Sequence, residues 1–453
     1  MDKTEAVVLV KHRAFPQLKI ALQEMMPADI AGLLTELSDE HEDVGEKELT
    51  LIFRILPKEL AADAFTYLDS SLQMILINAF SDSELKAVLD ELFLDDTVDI
   101  IEEMPANVVS RILKNADPAK RRQINELLNY PEDSAGSIMT TEFVYFRRDD
   151  SVKEAMERIR AVGIVKETVY TCYVTDSRRL MGTISLLDLV VADEDEKIEN
   201  IMDTTVISIE VQEDRESAAN LLSKHGLAAL PVTDADGRIV GIITFDDVMD
   251  VIREENAEDL ARMSAVVPDD EGGYFKRSVW KHARSRIVWL LILMISATIT
   301  GVITTHFESL ISAVPLLVAF MPMLTDTGGN CGSQASAMII QGMAMEEIRP
   351  KDFFKVVFKE IRIALVCSVI LSVVNFARIM IMYHDLKIAL IVSVTLIVTV
   401  ILAKLLGGIL PMLAKRIHLD PAIMSAPLIS TMVDALSTLL YFVIALNILD
   451  LAV

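Results

Sequence analysis

Pro322-Met-Leu-Thr-Asp-Thr-Gly-Gly-Asn-Cys-Gly-Ser-Gln334 lies inside an apolar segment and decides how the rest of the chain reads. Three glycines and six side chains with polar hydrogen-bonding groups stand where residues facing hydrocarbon belong. At membrane depth such groups are tolerated only where protein or a water-filled path surrounds them. Intramembrane polar residues therefore mark a functional site by default. Asp434, alone in the last apolar run, is a second such mark. Together they point to a polar species, a cation, crossing here.

Working outward, the chain turns strongly apolar from Ile287. Five stretches near 287–306, 314–341, 363–383, 388–413 and 422–449 reach the length of about 20 residues that crosses hydrocarbon. A membrane domain over 281–453 follows. Basic residues set its orientation. Lys276, Arg277, Lys281, Arg284 and Arg286 precede the first span. Arg349, Lys351, Lys355, Lys359 and Arg362 follow the second, and Lys415 and Arg416 the fourth. The loops at His306–Ser312 and His384–Lys387 are nearly free of them. This places the N-terminus inside the cell membrane and the C-terminus outside.

Charge divides the chain of 453 residues unevenly. Residues 1–275 carry 57 acidic and 27 basic side chains, and residues 276–453 carry 10 and 15. An acidic surface repels nucleic acid and attracts cations. Cys172, Cys331 and Cys367 have no metal-ligand spacing and suit a reducing compartment. The start, Met-Asp-Lys-Thr-Glu, carries no apolar signal segment, so the acidic half is expected in the cytosol. Enzyme chemistry is disfavoured: there is no His-Glu-x-x-His, and His306, His384 and His418 stand isolated near span ends. An anion path needs positive lining, and the spans offer only Arg378 and Lys404, both read at span ends. The lack of His or Cys clusters in the spans disfavours soft metals. A sensor with a passive anchor leaves the glycine stretch and Asp434 unexplained.

The acidic half reads as three parts. Residues 1–130 show helical periodicity, as in Leu85-x-x-Val88-Leu89-x-x-Leu92, with Pro27, Pro57, Pro105 and Pro118 near helix starts. Short helices of this kind predict an all-α superhelical domain. Residues 131–200 and 201–253 hold an internal repeat. Leu180-Met-Gly-Thr-Ile-Ser185-Leu-Leu-Asp188 matches Ile239-Val-Gly-Ile-Ile-Thr244-Phe-Asp-Asp247. Each copy predicts strand, helix, strand, turn, strand, helix, with Ser185 and Thr244 as helix caps and Asp236-Gly237 as a hairpin turn. The repeat resembles a tandem pair of α/β CBS domains. Residues 254–280 continue as a connecting helix and a linker broken at 269–273.

Carboxylates cluster. Asp95 and Asp99 share a helix face at i and i+4, where like charges repel. Asp247, Asp250, Glu254 and Glu258 follow a similar face, and Glu255, Glu258 and Asp259 form another group. A divalent cation would remove the cost of pressing such faces together. Mg²⁺ takes hard oxygen ligands and keeps its waters, so Asp434 alone cannot cage it. Carboxylates from two subunits could hold a hydrated ion.

Pro322-x-x-x-Asp-Thr-Gly-Gly-Asn-x-Gly-x-Gln334, Leu419-Asp-Pro-Ala422 and Val433-Asp434 together resemble the MgtE family of magnesium channels and transporters, over essentially the whole chain. The resemblance implies a homodimer in the lipid bilayer with a Mg²⁺-selective pore, Asp434 as the shared pore ligand and Asp420 at its cytosolic mouth. It implies regulatory Mg²⁺ held by Asp63, Asp95, Asp99, Asp247, Asp250, Glu255, Glu258, Asp259 and the carbonyl of Gly136, closing the pore when cytosolic Mg²⁺ is high. Gly226 departs from the acidic residue of some relatives. The alternative cargo is another divalent cation such as Mn²⁺ or Co²⁺. Tandem CBS domains also resemble adenine-nucleotide sensors, which sets Tyr170 against the base and Asp188 against the ribose of ATP.

Overall fold

The structure, a computed structural model, describes residues 1, 3–39, 45–163, 166–268, 274, 277–345, 347–424 and 426–450. The expected linker break at 269–273 and Lys276 lie outside the described residues. The chain forms two compact units, Met1–Arg253 and the residues from Glu254 on.

The first unit begins with α1 (Lys3–Lys11), α2 (Phe15–Gln23), α3 (Pro27–Asp39), α4 (Glu46–Arg54), α5 (Lys58–Thr66), α6 (Ser70–Ala79), α7 (Asp82–Leu89), α8 (Leu94–Glu102), α9 (Ala106–Asn115) and α10 (Pro118–Leu127). The prolines sit where the sequence puts them: Pro27 and Pro118 open helices, and Pro57 and Pro105 precede them. At these places a missing N–H costs nothing. Polar caps start others. Ser81 and Glu84 exchange side-chain and backbone hydrogen bonds at the start of α7. The odd-numbered helices pack in succession, α1 on α3, α3 on α5, α5 on α7 and α7 on α9, which winds the stack into a superhelix.

Two three-stranded sheets follow with the same topology. In the first, β1 (Tyr145–Arg147) runs parallel to β2 (Thr171–Asp176), which pairs antiparallel with β3 (Arg179–Ser185). In the second, β4 (Ile209–Glu210), β5 (Ala229–Thr233) and β6 (Ile239–Thr244) repeat the pattern. Helices α11 (Val152–Val162) and α14 (Arg215–His225) make the crossovers, and α12 (Leu186–Val191) and α15 (Phe245–Met263) follow the last strands, with α13 (Ile198–Ile201) between the copies. The sheets join edge to edge: Leu180 N donates to Gly237 O at 3.0 Å, and Ile239 N to Arg178 O at 3.1 Å. Gly237 has φ +75°, the left-handed conformation its turn needs. One apolar core runs from Ala6 to Val251 through the helices and the second copy, while the first copy has its own around Phe146, Cys172 and Ile184.

In the second unit α16 (Val279–His306), α17 (Glu308–Ala313), α18 (Met321–Ala344), α19 (Phe353–Tyr383), α20 (Leu386–Arg416) and α21 (Ala426–Leu449) follow. Four of them, α16, α19 (counted from Pro350), α20 and α21, are long and apolar enough to cross a membrane. The fifth, α18, has 24 residues, about 36 Å of helix, but carries the polar stretch. The second span expected at 314–341 starts later, because Pro315–Phe320 forms a 3-10 turn. Lys355, Lys359 and Arg362, expected in a loop, ride on the first turns of α19 and are exposed.

Candidate functional site

Residues 322–334 form continuous α-helix, and the helix sorts them by face. The glycines take the packed side, against α20 and α21. A Cβ on Gly328 would sit 2.6 Å from Thr399 Cγ2 and 2.7 Å from Val433 Cγ1. A Cβ on Gly407 of α20 would sit 2.2 Å from the Gly332 carbonyl oxygen. No side chain fits between such backbones, which is how small residues let membrane helices approach. Asp326, Asn330 and Gln334, spaced i, i+4, i+8, form the opposite stripe and stay exposed.

Asp434 lies well inside α21 and shares a cavity of about 710 Å³ with Thr431, with Ala297, Thr300, Gly301, Thr304 and Thr305 of α16, and with Glu308 and Ile311. Among the described residues, nothing donates a hydrogen bond to its carboxylate. The charge of Asp326 is felt at Asp434. Lys404 is not at a span end. It is buried, 6% exposed, and its charge acts on Glu360, itself 7% exposed. A lone buried lysine whose charge is felt by a buried carboxylate does not make an anion path.

Asp420 opens a 3-10 turn, its Oδ1 accepting from Ala422 N at 2.7 Å. Its Oδ2 accepts from Arg262, which also donates to Glu258 one turn earlier on α15. One guanidinium thus joins two carboxylates singled out in the sequence. The sequence reading passed over Arg262, and its only local signal is the Glu258–Arg262 spacing of i, i+4. Glu255, Glu258 and Asp259 lie half-buried on the same helix, while Asp250 is exposed and pairs with Arg253 at 3.0 Å.

In the first unit the start of α8 meets the start of α15. Asp95 is buried, 8% exposed, and Asp99 is exposed. Burial first, then the charges of Asp247 and Glu167, push the Asp95 carboxyl well up. Burial, partly offset by Thr244, raises Asp247 to about 7. Burial and then Asp247 raise Glu167 to about 8. Burial and then Asp246 raise Asp96 to about 6, with Asp63 adding to the repulsion. Burial and then Glu59 raise Asp63 itself. Glu142 Oε2 accepts from Leu94 N at 3.2 Å. Lys120 is the cation set among them, acting on Asp95, Asp96 and Glu142, and its ammonium already donates to the carbonyls of Leu89 (2.7 Å) and Leu92. Asp96, Glu142, Glu167 and Asp246 were not legible in the sequence, because only the docking of α8 on the repeat brings them together.

Such a cluster is short of positive charge. Among the described residues no three His, Cys, Asp or Glu side chains gather closely enough to hold a metal ion directly. Glu167 Oε2 is nevertheless enclosed without a hydrogen-bond partner. An ion that keeps its waters, as Mg²⁺ does, fits this arrangement better than one that needs a closed cage. Gly136 is buried, and a Cβ there would meet the Tyr130 ring at 2.7 Å. Gly226 ends α14 in the left-handed conformation, φ +62°, a backbone reason for glycine at that point.

At the first copy, Asp188 Oδ2 accepts from Ser185 N at 3.2 Å and Ser185 Oγ at 2.6 Å, capping α12. Leu186 N donates to the Tyr170 carbonyl at 3.0 Å, so the two residues read for ATP lie on adjoining segments. The Tyr170 ring, taken in the sequence as half-buried if not a ligand contact, is 73% exposed.

Three family models match the chain: the MgtE intracellular N domain over residues 25–133, the CBS domain over 135–195 and 198–254, and a divalent cation transporter over 321–444. The magnesium transporter MgtE of Thermus thermophilus is 34% identical over 96% of this chain and 95% of its own length. That of Bacillus subtilis is 29% identical over 97% and 95%. Among solved structures, the cytosolic domain of the Mg²⁺ channel MgtE in complex with ATP matches at TM-score 0.50 and 32% identity, over 54% of this chain and 99% of that one. The soluble part of a magnesium transporter matches at TM-score 0.51 and 28% identity, over 56% and 98%.

Proposed function

Because the chain belongs to the MgtE family of magnesium transporters, we propose that it forms a Mg²⁺-selective path for uptake across the cell membrane, shut by Mg²⁺ on its acidic domains. The observation that carries this is the two-faced α18. Its glycine side is packed, and its stripe of Asp326, Asn330 and Gln334 is left uncovered. A polar stripe on a membrane helix needs water or protein against it, not lipid. A second copy of the chain meets that need and doubles the carboxylates near the path, so we take the protein as a homodimer with Asp434 of each copy facing the ion. The basic flanks put the N-terminus and acidic domains in the cytosol and the C-terminus outside.

The gate follows from charge. At high cytosolic Mg²⁺, hydrated ions neutralise the surfaces around Asp63, Asp95, Asp99, Asp247 and Asp250, with the Gly136 carbonyl and Glu255, Glu258 and Asp259 as further ligands. The compact state then holds α15 so that Arg262 sits on Asp420. At low Mg²⁺, repulsion among these carboxylates opens the cluster and the guanidinium leaves the mouth. Only ions bound more tightly by the closed form shift the balance. Tyr170 and Asp188 supply an ATP site by analogy with the ATP-bound relative.

The test is Mg²⁺ uptake into proteoliposomes, with wild type and Asp434→Ala compared while Mg²⁺ on the acidic-domain side is varied. Loss of uptake in the variant and shut-off of the wild type by that Mg²⁺ are expected. Flux indifferent to Asp434→Ala removes the pore assignment, and preference for Mn²⁺ or Co²⁺ reassigns the cargo.

A further inference from the structure

The cavity at Asp434 holds more than one carboxylate needs. Six waters at about 30 Å³ each fill roughly 180 Å³ around Mg²⁺. The 710 Å³ available holds an intact hydrated ion with room for further waters. Its polar wall is distinctive in hydrogen-bonding terms. Thr304 Oγ1 donates to Thr300 O at 2.8 Å, Thr305 Oγ1 to Gly301 O at 3.0 Å, and Thr431 Oγ1 to Pro427 O at 2.8 Å. Each hydroxyl has spent its one proton on its own helix and keeps only acceptor capacity. Asp434 and Glu308, when ionised, are acceptors too. Thr300 lines the cavity, but its Oγ1 is shut off from solvent and, among the described residues, has no hydrogen-bond partner, so it is not part of that acceptor wall. Among the described residues, no Lys, Arg or His lines the cavity. Water bound to a cation presents its O–H groups outward, so an acceptor wall with two carboxylates matches a hydrated cation and rejects anions.

Glu308 stands just past the end of α16, and Asp434 lies deep in α21. We propose that Glu308, with Thr304, Thr305 and Thr431, forms an entrance site that captures the divalent cation with its water shell intact and delivers it to Asp434. The inference rests on reading Asp434 as the ion-path ligand. Capture sets the concentration at which the path fills, and Asp434 sets whether it conducts. Glu308 is exposed, so replacing it spares the packing.

The experiment measures initial Mg²⁺ uptake by the full chain in proteoliposomes against Mg²⁺ on the face away from the acidic domains. Hexaamminecobalt(III), an inert ion that offers N–H groups where hydrated Mg²⁺ offers O–H, is the competing probe. Glu308→Gln is expected to raise the half-saturating Mg²⁺ and the half-blocking probe concentration in parallel, by about tenfold, as focusing fields do. It should lower the saturating rate much less. Glu308→Asp should recover most of the affinity, and Thr305→Val, at an exposed lining residue, should weaken block by the probe. If Asp434→Ala abolishes flux but Glu308→Gln and Thr305→Val leave saturation and block unchanged, the entrance site is overturned and the pore reading stands. If Asp434→Ala itself has no effect, the reading beneath the inference fails instead.

Discussion

Ser185–Asp188 and Thr244–Asp247 are the same turn built twice, yet they meet different surroundings. In both, a hydroxyl residue ends the last strand, and a carboxylate three residues on turns back to it, with Asp188 at 2.6 Å from Ser185 Oγ and Asp247 at 2.6 Å from Thr244 Oγ1. Asp188 is exposed, beside the exposed Tyr170, Leu187, Val190 and Val191. Asp247 lies among Asp95, Asp96 and Glu167 and is raised to about 7. One repeat thus supplies an open face suited to a soluble ligand and a docked face under electrostatic load. The motif sets the local geometry, and the element docked on it sets the chemistry.

The comparison breaks most directly at the two carboxylates. Asp247→Asn should raise the Mg²⁺ needed on the acidic side for half-closure by about tenfold or more, within the usual range of coupling between sites. Asp188→Asn should leave that set point alone and weaken ATP binding, read by calorimetry. Equal shifts in the set point from both variants would mean that docking on α8 makes no difference.

A second effect concerns pH without divalent ions. Asp96, Asp247 and Glu167, at about 6, 7 and 8, hold protons in the folded protein that the unfolded chain releases near 4. Their raised values mean that the folded state binds more protons. The associated stability is therefore present below about pH 4 and is lost as pH rises through 6 to 8. Melting of the purified protein in EDTA should occur at a lower temperature at pH 8 than at pH 6, and added Mg²⁺ should flatten the difference. A melting temperature that climbs from pH 6 to 8 in EDTA would contradict the loaded cluster. Asp247→Asn should shrink the slope, and Asp188→Asn should not.

What the sequence made legible tracks what is local. The repeat, its Ser185 cap, the Asp236-Gly237 turn and four of the five apolar spans are set by neighbours within a few residues, and the structure has them. The glycines of 322–334 announced close approach but not which face of α18 would pack. Asp96, Glu142, Glu167 and Arg262 escaped notice because single carboxylates and a single arginine carry no periodic signal. Their partners lie 48 residues away for Leu94 and Glu142, and 158 for Arg262 and Asp420. Lys404 was misplaced because only the packing of α20 in the bundle shows it buried in mid-helix.

The smallest effect separates the cap from the load. Ser185→Ala removes a capping hydroxyl and should cost about 1 kcal/mol of stability in a melting experiment, whereas Thr244→Val removes a hydroxyl that donates to carboxylates. Their consequences for Mg²⁺ should differ. Thr244 Oγ1 has one proton, shared between Asp247 Oδ2 and Asp246 Oδ1, both within reach, and its bond to Asp247 favours that residue's ionised form. Without it, Asp247 is pushed further up, takes a proton more readily and offers less charge to a cation at neutral pH. Thr244→Val should therefore shift the set point a few-fold at pH 7, with the shift fading by pH 9, where Asp247 ionises in either protein. Ser185→Ala should show the stability loss alone. A set point unmoved at pH 7 by Thr244→Val would place the regulatory ion away from Asp247.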